Sequence, residues 1–125
     1  IVAARKLPKE TPEEKAARKK AIDEATILAT TIPMQTAAFG RSAIGKAALV
    51  LEKGNPNCAS DAFVAALLLS VAIEGAVANV RINLPGVSDA TLAAGFREDA
   101  DEAAAKCAEA MKKVRALAKE KGLTS

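Results

Sequence analysis

Histidine, tryptophan and tyrosine are absent from this 125-residue chain, phenylalanine occurs three times, and aromatic residues make up only 2% of it. Without histidine the chain holds no Ser-His-Asp or Cys-His nucleophile pair and no imidazole metal ligand. Its two cysteines, Cys58 and Cys107, show no C-x-x-C spacing and cannot complete a zinc site by themselves. Single-stranded nucleic acid calls for aromatic stacking platforms on a strongly basic surface. With 18 Lys+Arg against 15 Asp+Glu, a net +3, that partner is not expected. No secretory leader is read at the start. Two distant thiols in such a chain read as reduced, cytoplasmic residues, with a disulfide left open.

What is present is an alternation of small apolar and charged residues. Hydrophobic residues are 50% and charged residues 26% of the chain, and alanine alone is about a quarter, a composition that favours helix over strand. The length suits one domain, 1–125, with a modest core. Because the first residue is Ile1 rather than Met, part of a longer gene product is expected to precede it. General acid–base chemistry by carboxylates and binding by Arg, Lys and Asn remain open.

Punctuation along the chain divides it into helices. Residues Ile1 to Leu7 read as the end of a helix stopped by Pro8. Thr11-Pro12-Glu13-Glu14 is a start signal, with Thr as N-cap, Pro at the first helical position and Glu closing a capping box. The helix that follows is expected to run to about Thr31, with Ala17, Ala21, Ala25, Leu28 and Ile32 as its apolar stripe and Lys15, Arg18, Lys19 and Lys20 on a solvated face. Pro33 is expected to open a second helix ending at Lys53 and Gly54. Gly40 and Gly45 weaken that helix and suggest close approach by a neighbour. Gly54-Asn55-Pro56-Asn57 is a turn.

The most apolar stretch follows, from Ala62 to Ile73 with only Ser70 interrupting. It is too short by itself to span a bilayer, and Glu74, Asn79 and Arg81 come directly after, so a buried central helix is expected rather than a membrane anchor. Leu84-Pro85-Gly86 ends it. From Ser88, a plausible N-cap, a last helix runs to about Lys121. Its seam of Leu92, Phe96, Ala100, Ala103, Cys107, Met111, Val114 and Ala118 is close to a heptad. At about 50 Å that helix exceeds what the chain needs, so its seam is expected to pair with a further segment or a second subunit.

Two polar clusters could carry chemistry. In Gly54–Asp61, two amides, a hydroxyl and a carboxylate gather before the apolar helix; their bland reading is turn residues and helix caps. In Asn79–Asn83, three large polar groups must find hydrogen-bond partners. They form either a structural network, with Glu74 and Arg81 paired, or a pocket for a planar ligand with carboxylate tails, which Arg recognises bidentately.

Lys53-Gly54-Asn55-Pro56-Asn57-Cys58-Ala59-Ser60-Asp61, then Val64-Ala65-Ala66, Glu74-Gly75-Ala76 and Asn79-Val80-Arg81-Ile82-Asn83-Leu84, resemble the formiminotetrahydrofolate cyclodeaminase/methenyltetrahydrofolate cyclohydrolase family. The upstream Leu7-Pro8-Lys9-Glu10-Thr11 and Glu14-Lys15-Ala16-Ala17-Arg18 look similar too. The resemblance implies an all-α fold, an antiparallel helical bundle with a long C-terminal helix that works as a homodimer in cytoplasmic one-carbon metabolism. It implies that formimino-tetrahydrofolate is closed to 5,10-methenyltetrahydrofolate with loss of ammonia, or that methenyltetrahydrofolate is hydrolysed to 10-formyltetrahydrofolate. Folate is then the substrate, and no metal or other cofactor, nucleic acid or membrane is implied. By motif position Asp61 is the acid/base candidate with Ser60 orienting it. Asn55, Asn57, Asn79 and Asn83 are candidates to hold the pterin or the one-carbon unit, and Arg81 and Lys9 to attract the glutamate tail. Family members begin with a Pro-Gly-Gly-Gly-Ser-like stretch and further helices that this chain does not show, so it is expected to be the larger C-terminal part of that domain. The rival reading is a non-catalytic helical assembly module in which the same groups are caps and core networks.

Overall fold

A computed structural model describes residues 1–125. It contains four α-helices and no strand: α1 (Val2–Arg5), α2 (Pro12–Lys53), α3 (Ala59–Asn83) and α4 (Ala90–Glu120), with 3₁₀ turns at Pro56–Cys58 and Leu84–Gly86. The capping box at the start of α2 forms as its sequence requires. Thr11 Oγ1 accepts from the Glu14 amide at 3.1 Å, and Glu14 Oε2 accepts from the Thr11 amide at 3.1 Å. Arg18 donates Nε and Nη2 to the Arg5 carbonyl at 3.2 and 3.1 Å, tying the short α1 to α2.

Pro33 does not divide α2. One 42-residue helix passes through it. Proline removes one backbone donor and crowds the carbonyl four residues back, and a helix tolerates that where another group serves the freed carbonyl. Here Asn83 does so: its Nδ2 donates to the Ala29 carbonyl at 2.9 Å. A contact 54 residues away in the chain therefore offsets part of the cost of a local stop signal, and the packing of α2 on α3 and α4 supplies the rest.

The buried face of α2 also differs from the expected stripe. It consists of Thr26, Thr30, Met34, Ala37, Gly40, Ile44, Ala48 and Leu51, whereas Leu28 and Ile32 are 61% and 55% exposed. Two threonines can lie inside because each hydroxyl finds a carbonyl one turn back, Thr30 on Thr26 and Thr26 on Ile22, both at 2.8 Å. Hydrophobicity alone pointed to the wrong face because it does not credit that local satisfaction. The close approach suggested by the glycines occurs at Gly40, where a Cβ would lie 2.5 Å from Ile73 Cγ1, but not at Gly45, which has nothing within 4 Å.

Helix α3 packs against both α2 and α4 through Ala59, Ala62, Ala66, Ser70, Ile73, Val77 and Val80. It is not buried all round: Val64, Leu68, Val71 and Ile82 are 51–77% exposed and fall on one side of the helix. With its flanking turns it is long and apolar enough to cross a membrane by length and composition. The 12-residue run considered from sequence understated it, because the helix continues through its polar end.

The heptad seam of α4 is buried as read, from Ala100 through Cys107 to Ala118. Its partners are α2 and α3 of the same chain, so it does not await a further segment. The unpartnered apolar surface lies instead on α2 and α3. The N-cap of α4 is Asp89, not Ser88, with Oδ1 accepting from the Leu92 amide at 2.9 Å. Gly122, at φ +70°, closes the C-terminus in the left-handed region where glycine is unstrained.

Candidate functional site

Apart from Lys9, the candidate residues form two clusters at opposite ends of α3. Eighteen helical residues separate Asp61 from Asn79, about 27 Å at 1.5 Å per residue, so one chain does not bring them together.

At the N-terminal end, Asn55 Oδ1 accepts from the Asn57 amide at 3.0 Å, an Asx turn that leads the chain through Pro56 into α3. Ser60 and Asp61 provide no side-chain cap; the N-cap position belongs to Cys58, which makes no side-chain cap bond. All four candidates here are exposed. Asp61 stands in the first turn of α3, where the helix dipole favours a carboxylate. Ser60 and Asp61 are not bonded to each other, since successive helical residues point to different sides. Ser60 lines a shallow depression of about 300 Å³ with Pro56, Lys121 and Leu123.

At the C-terminal end, Asn79 and Asn83, four apart, share a face. They line an open groove of about 650 Å³ between α2 and α3, whose other walls include Ile32, Pro33, Thr36 and Val71. Asn83 is half-buried and Asn79 exposed. No carboxylate lines this groove. Arg81 is on another side of the helix, where Nη2 pairs with Asp101 Oδ1 of α4 at 2.8 Å. It does not pair with Glu74, which instead accepts from Ser70 Oγ at 2.8 Å. Four residues bring Ser70 and Glu74 together along one ridge, while Arg81 lies two turns further and meets α4 first. Lys9 is exposed in the segment before α2. From Pro12 to Ala29 on the groove wall α2 covers 17 residues, about 25 Å, so Lys9 is remote from the groove within one chain.

Sequence reasoning missed a second groove, of about 670 Å³, between α2 and α4. The Arg41–Glu102 ion pair crosses it at 2.7 Å, and Lys113 on its wall pairs with Glu52, also at 2.7 Å. The Lys113 hydrogen bond, aided by the charges of Lys113 and Lys53, holds the Glu52 carboxyl below its ordinary 4.5, with partial loss of water acting the other way. No signal in the sequence pairs groups 61 residues apart. The role of Pro33 was also missed, although a proline followed fifty residues later by an Asn-rich helix end offered a faint cue. Neither cysteine is in a disulfide; Cys58 is exposed and Cys107 buried. Nowhere do three His, Cys, Asp or Glu side chains gather as a metal site would require.

Both clusters fall inside the stretch, residues 1–102, that matches the sequence profile of formiminotransferase-cyclodeaminase. The chain belongs to that family. It is 42% identical over 93 residues to the methenyltetrahydrofolate cyclohydrolase of Methylorubrum extorquens, covering 74% of this chain and 45% of that protein. It is 40% identical over 98 residues to the formimidoyltransferase-cyclodeaminase of Sus scrofa, covering 76% of this chain and 18% of that protein. The Gallus gallus formimidoyltransferase-cyclodeaminase is 36% identical over 86 residues, 69% of this chain and 16% of that protein. The chain thus spans less than half the length of these curated relatives. The two polar clusters lie at the two ends of one long helix, α3, with the apolar stripe Val64, Leu68 and Val71 running between them.

Proposed function

We propose that this chain forms the folate-binding helical part of a cytoplasmic one-carbon enzyme acting at the N5–N10 bridge of tetrahydrofolate, and that it works as an antiparallel bundle in a homodimer. The observation that supports this reading is the α2–α3 groove, which lies in the family-matched region and is walled by apolar side chains with two side-chain amides, Asn79 and Asn83. Ligand sites for flat heterocycles combine apolar walls with a few polar groups that fix orientation. The short turn between α2 and α3 suits antiparallel neighbours.

The groove supplies binding groups but no acid or base. The exposed stripe of α3 leads from it to Asp61 at the far end of the same helix. A two-fold pairing of two copies along that stripe, with their α3 helices reversed, would set Asp61 of one copy beside Asn79 and Asn83 of the other. Ser60, Asn55 and Asn57 would come with it, giving a polar rim to the groove. Arg81 is paired to Asp101 only at the surface, both side chains more than half exposed, so it could turn to the glutamate tail at small cost, with Lys9 adding charge.

In the cyclodeaminase reaction N10 attacks the protonated formimino carbon. The C–N10 bond forms, the N10 proton passes by way of the Asp61 carboxylate to the departing nitrogen, and that nitrogen leaves as ammonia. The positive charge of the amidinium remains as the methenyl cation. In the cyclohydrolase reaction the same carboxylate takes a proton from water as it adds to the methenyl carbon, and ring opening gives the 10-formyl product with release of one proton. Both are proton transfers at one carbon beside a cation, which a carboxylate stabilises.

Mixing two inactive variants tests the shared site. Asp61→Asn and Asn83→Ala, refolded together, are expected to recover about a quarter of wild-type turnover, since half the dimers are mixed and each of those has one intact site. No recovery would refute the shared site. Ammonia release from formimino-tetrahydrofolate distinguishes cyclodeaminase from cyclohydrolase. The exposed stripe on α2 and α3 also suits the second reading, a non-catalytic assembly module. A folate at a hundred times its dissociation constant adds about 2.7 kcal/mol of apparent stability, and melting that ignores every tetrahydrofolate would favour the module.

A further inference from the structure

The geometry points to Pro33 as a positioning residue for Asn83. We infer that the proline, by leaving the Ala29 carbonyl without an amide, fixes the Asn83 carboxamide in one orientation and so makes its oxygen the hydrogen-bond acceptor of the α2–α3 groove. This deepens the proposed function and rests on it for the class of ligand.

The chain of contacts is short. Proline has no N–H, so Pro33 cannot serve the carbonyl four residues back, which is that of Ala29. A helix carbonyl left without a partner in a partly covered position needs another donor. The Asn83 Nδ2 supplies it at 2.9 Å. Only the NH₂ end of a carboxamide can donate to a carbonyl, so this bond decides which way the group is turned. Oδ1 makes no hydrogen bond within the protein, and no buried side-chain polar atom lacks a partner, so Oδ1 is open to solvent at the groove that Asn83 lines. Pro33 lines the same groove, so the residue that frees the carbonyl and the residue that uses it both face the ligand space.

Asn79 is the contrast. It is exposed and makes no hydrogen bond within the chain, so its amide turns freely and can offer either end. Asn83 cannot, because turning would set its oxygen against the Ala29 carbonyl oxygen. The groove therefore holds one fixed acceptor and one adaptable amide. A fixed acceptor selects a ligand that presents N–H, such as the amidine of a formimino group or the amino edge of a pterin. It disfavours a carbonyl oxygen at that point. Restoring an amide at position 33 would compete for Ala29 and release Asn83, at the cost of the proline ring's own apolar contact with the groove.

The test uses the 125-residue chain as wild type, Pro33→Ala, Asn83→Ala and the double variant, titrated with 5,10-methenyltetrahydrofolate and with formimino-tetrahydrofolate. Solvent exchange of the Asn83 carboxamide protons is followed by NMR in wild type and Pro33→Ala. The exchange is expected to be slow in wild type and to quicken at least about ten-fold in Pro33→Ala. Folate affinity is expected to fall in Pro33→Ala by roughly three- to ten-fold, the worth of one neutral hydrogen bond, beyond the loss of the ring's own contact, which the same substitution in the Asn83→Ala background reads alone. A purely structural proline would instead weaken binding equally in both backgrounds. Additive effects, or an Asn83 exchange rate unmoved by Pro33→Ala, would overturn the inference. A wild-type chain that binds neither folate would sink the proposed function, and the exchange rates would still decide whether Pro33 orients Asn83.

Discussion

Alanine introduced at Gly40 and at Gly45 is expected to move stability in opposite directions, although both glycines lie in the same helix within two turns of one another. In a helix interior Gly→Ala is worth up to about 1 kcal/mol from backbone entropy and helix propensity. At Gly45 nothing lies within 4 Å of the added carbon, so that gain should appear nearly whole. At Gly40 the new Cβ would stand 2.5 Å from Ile73 Cγ1 and 3.3 Å from Cδ1. Ile73 has no exposed surface, so it can yield only by pushing α3 away from α2 or leaving its rotamer. Overpacking of that kind costs about 1–3 kcal/mol. The net effect at Gly40 is then a loss of up to about 2 kcal/mol after the propensity gain is subtracted. Urea unfolding resolves this: with an m-value of about 1–3 kcal/mol per molar, the two variants should have midpoints separated by roughly 1 M. In an Ile73→Ala background, which itself costs about 2–5 kcal/mol, Gly40→Ala should become stabilising. If Gly40→Ala raised the wild-type midpoint as much as Gly45→Ala does, the close approach of α2 and α3 at this crossing would be wrong.

The Glu52–Lys113 pair is expected to stabilise the α2–α4 contact at neutral pH and to fade in acid. Because the folded carboxyl is held below its ordinary 4.5, its contribution is complete above the unfolded value of about 4.3 and is lost as pH falls through the folded value. The gap in melting temperature between wild type and Glu52→Gln should therefore be full above about pH 4.3 and shrink as the pH falls further, and a gap constant with pH would exclude the linkage. The folded chain should react with one equivalent of a thiol reagent, at exposed Cys58, and take up a second at buried Cys107 only on unfolding. Equal rates at both thiols would show that the α4 seam is not packed.

Local signals in the sequence are legible where one short stretch contains the whole interaction. The capping box at Thr11 and Glu14, the turn at Asn55–Asn57 and the heptad seam through Cys107 each depend on residues within a few turns of one another, and each is found in the structure. The motif at Asn79–Asn83 was legible as a resemblance, and the family match covers it. The sequence misleads where a distant residue decides the outcome. Pro33 reads as a helix break until Asn83 is known to stand beside Ala29. Arg81 reads either as a partner for Glu74 or as a ligand-binding group until α4 brings Asp101 to it. Leu28 and Ile32 look like core, yet the threonines occupy that place because their hydroxyls are satisfied within the helix.

The sequence by itself determined that the chain is helical, where α2 starts, where the turn before α3 lies, and to which family it belongs. Composition, periodicity and capping act over a few residues and need no tertiary partner. Only the tertiary structure decided which faces are buried, which ion pairs form, and that the two polar clusters stand about 27 Å apart on one helix. Those outcomes depend on how three helices lie against each other: the packing as a whole outweighs a local preference such as the roughly 3 kcal/mol cost of an interior proline, of which one hydrogen bond offsets only about 0.5–1.5 kcal/mol.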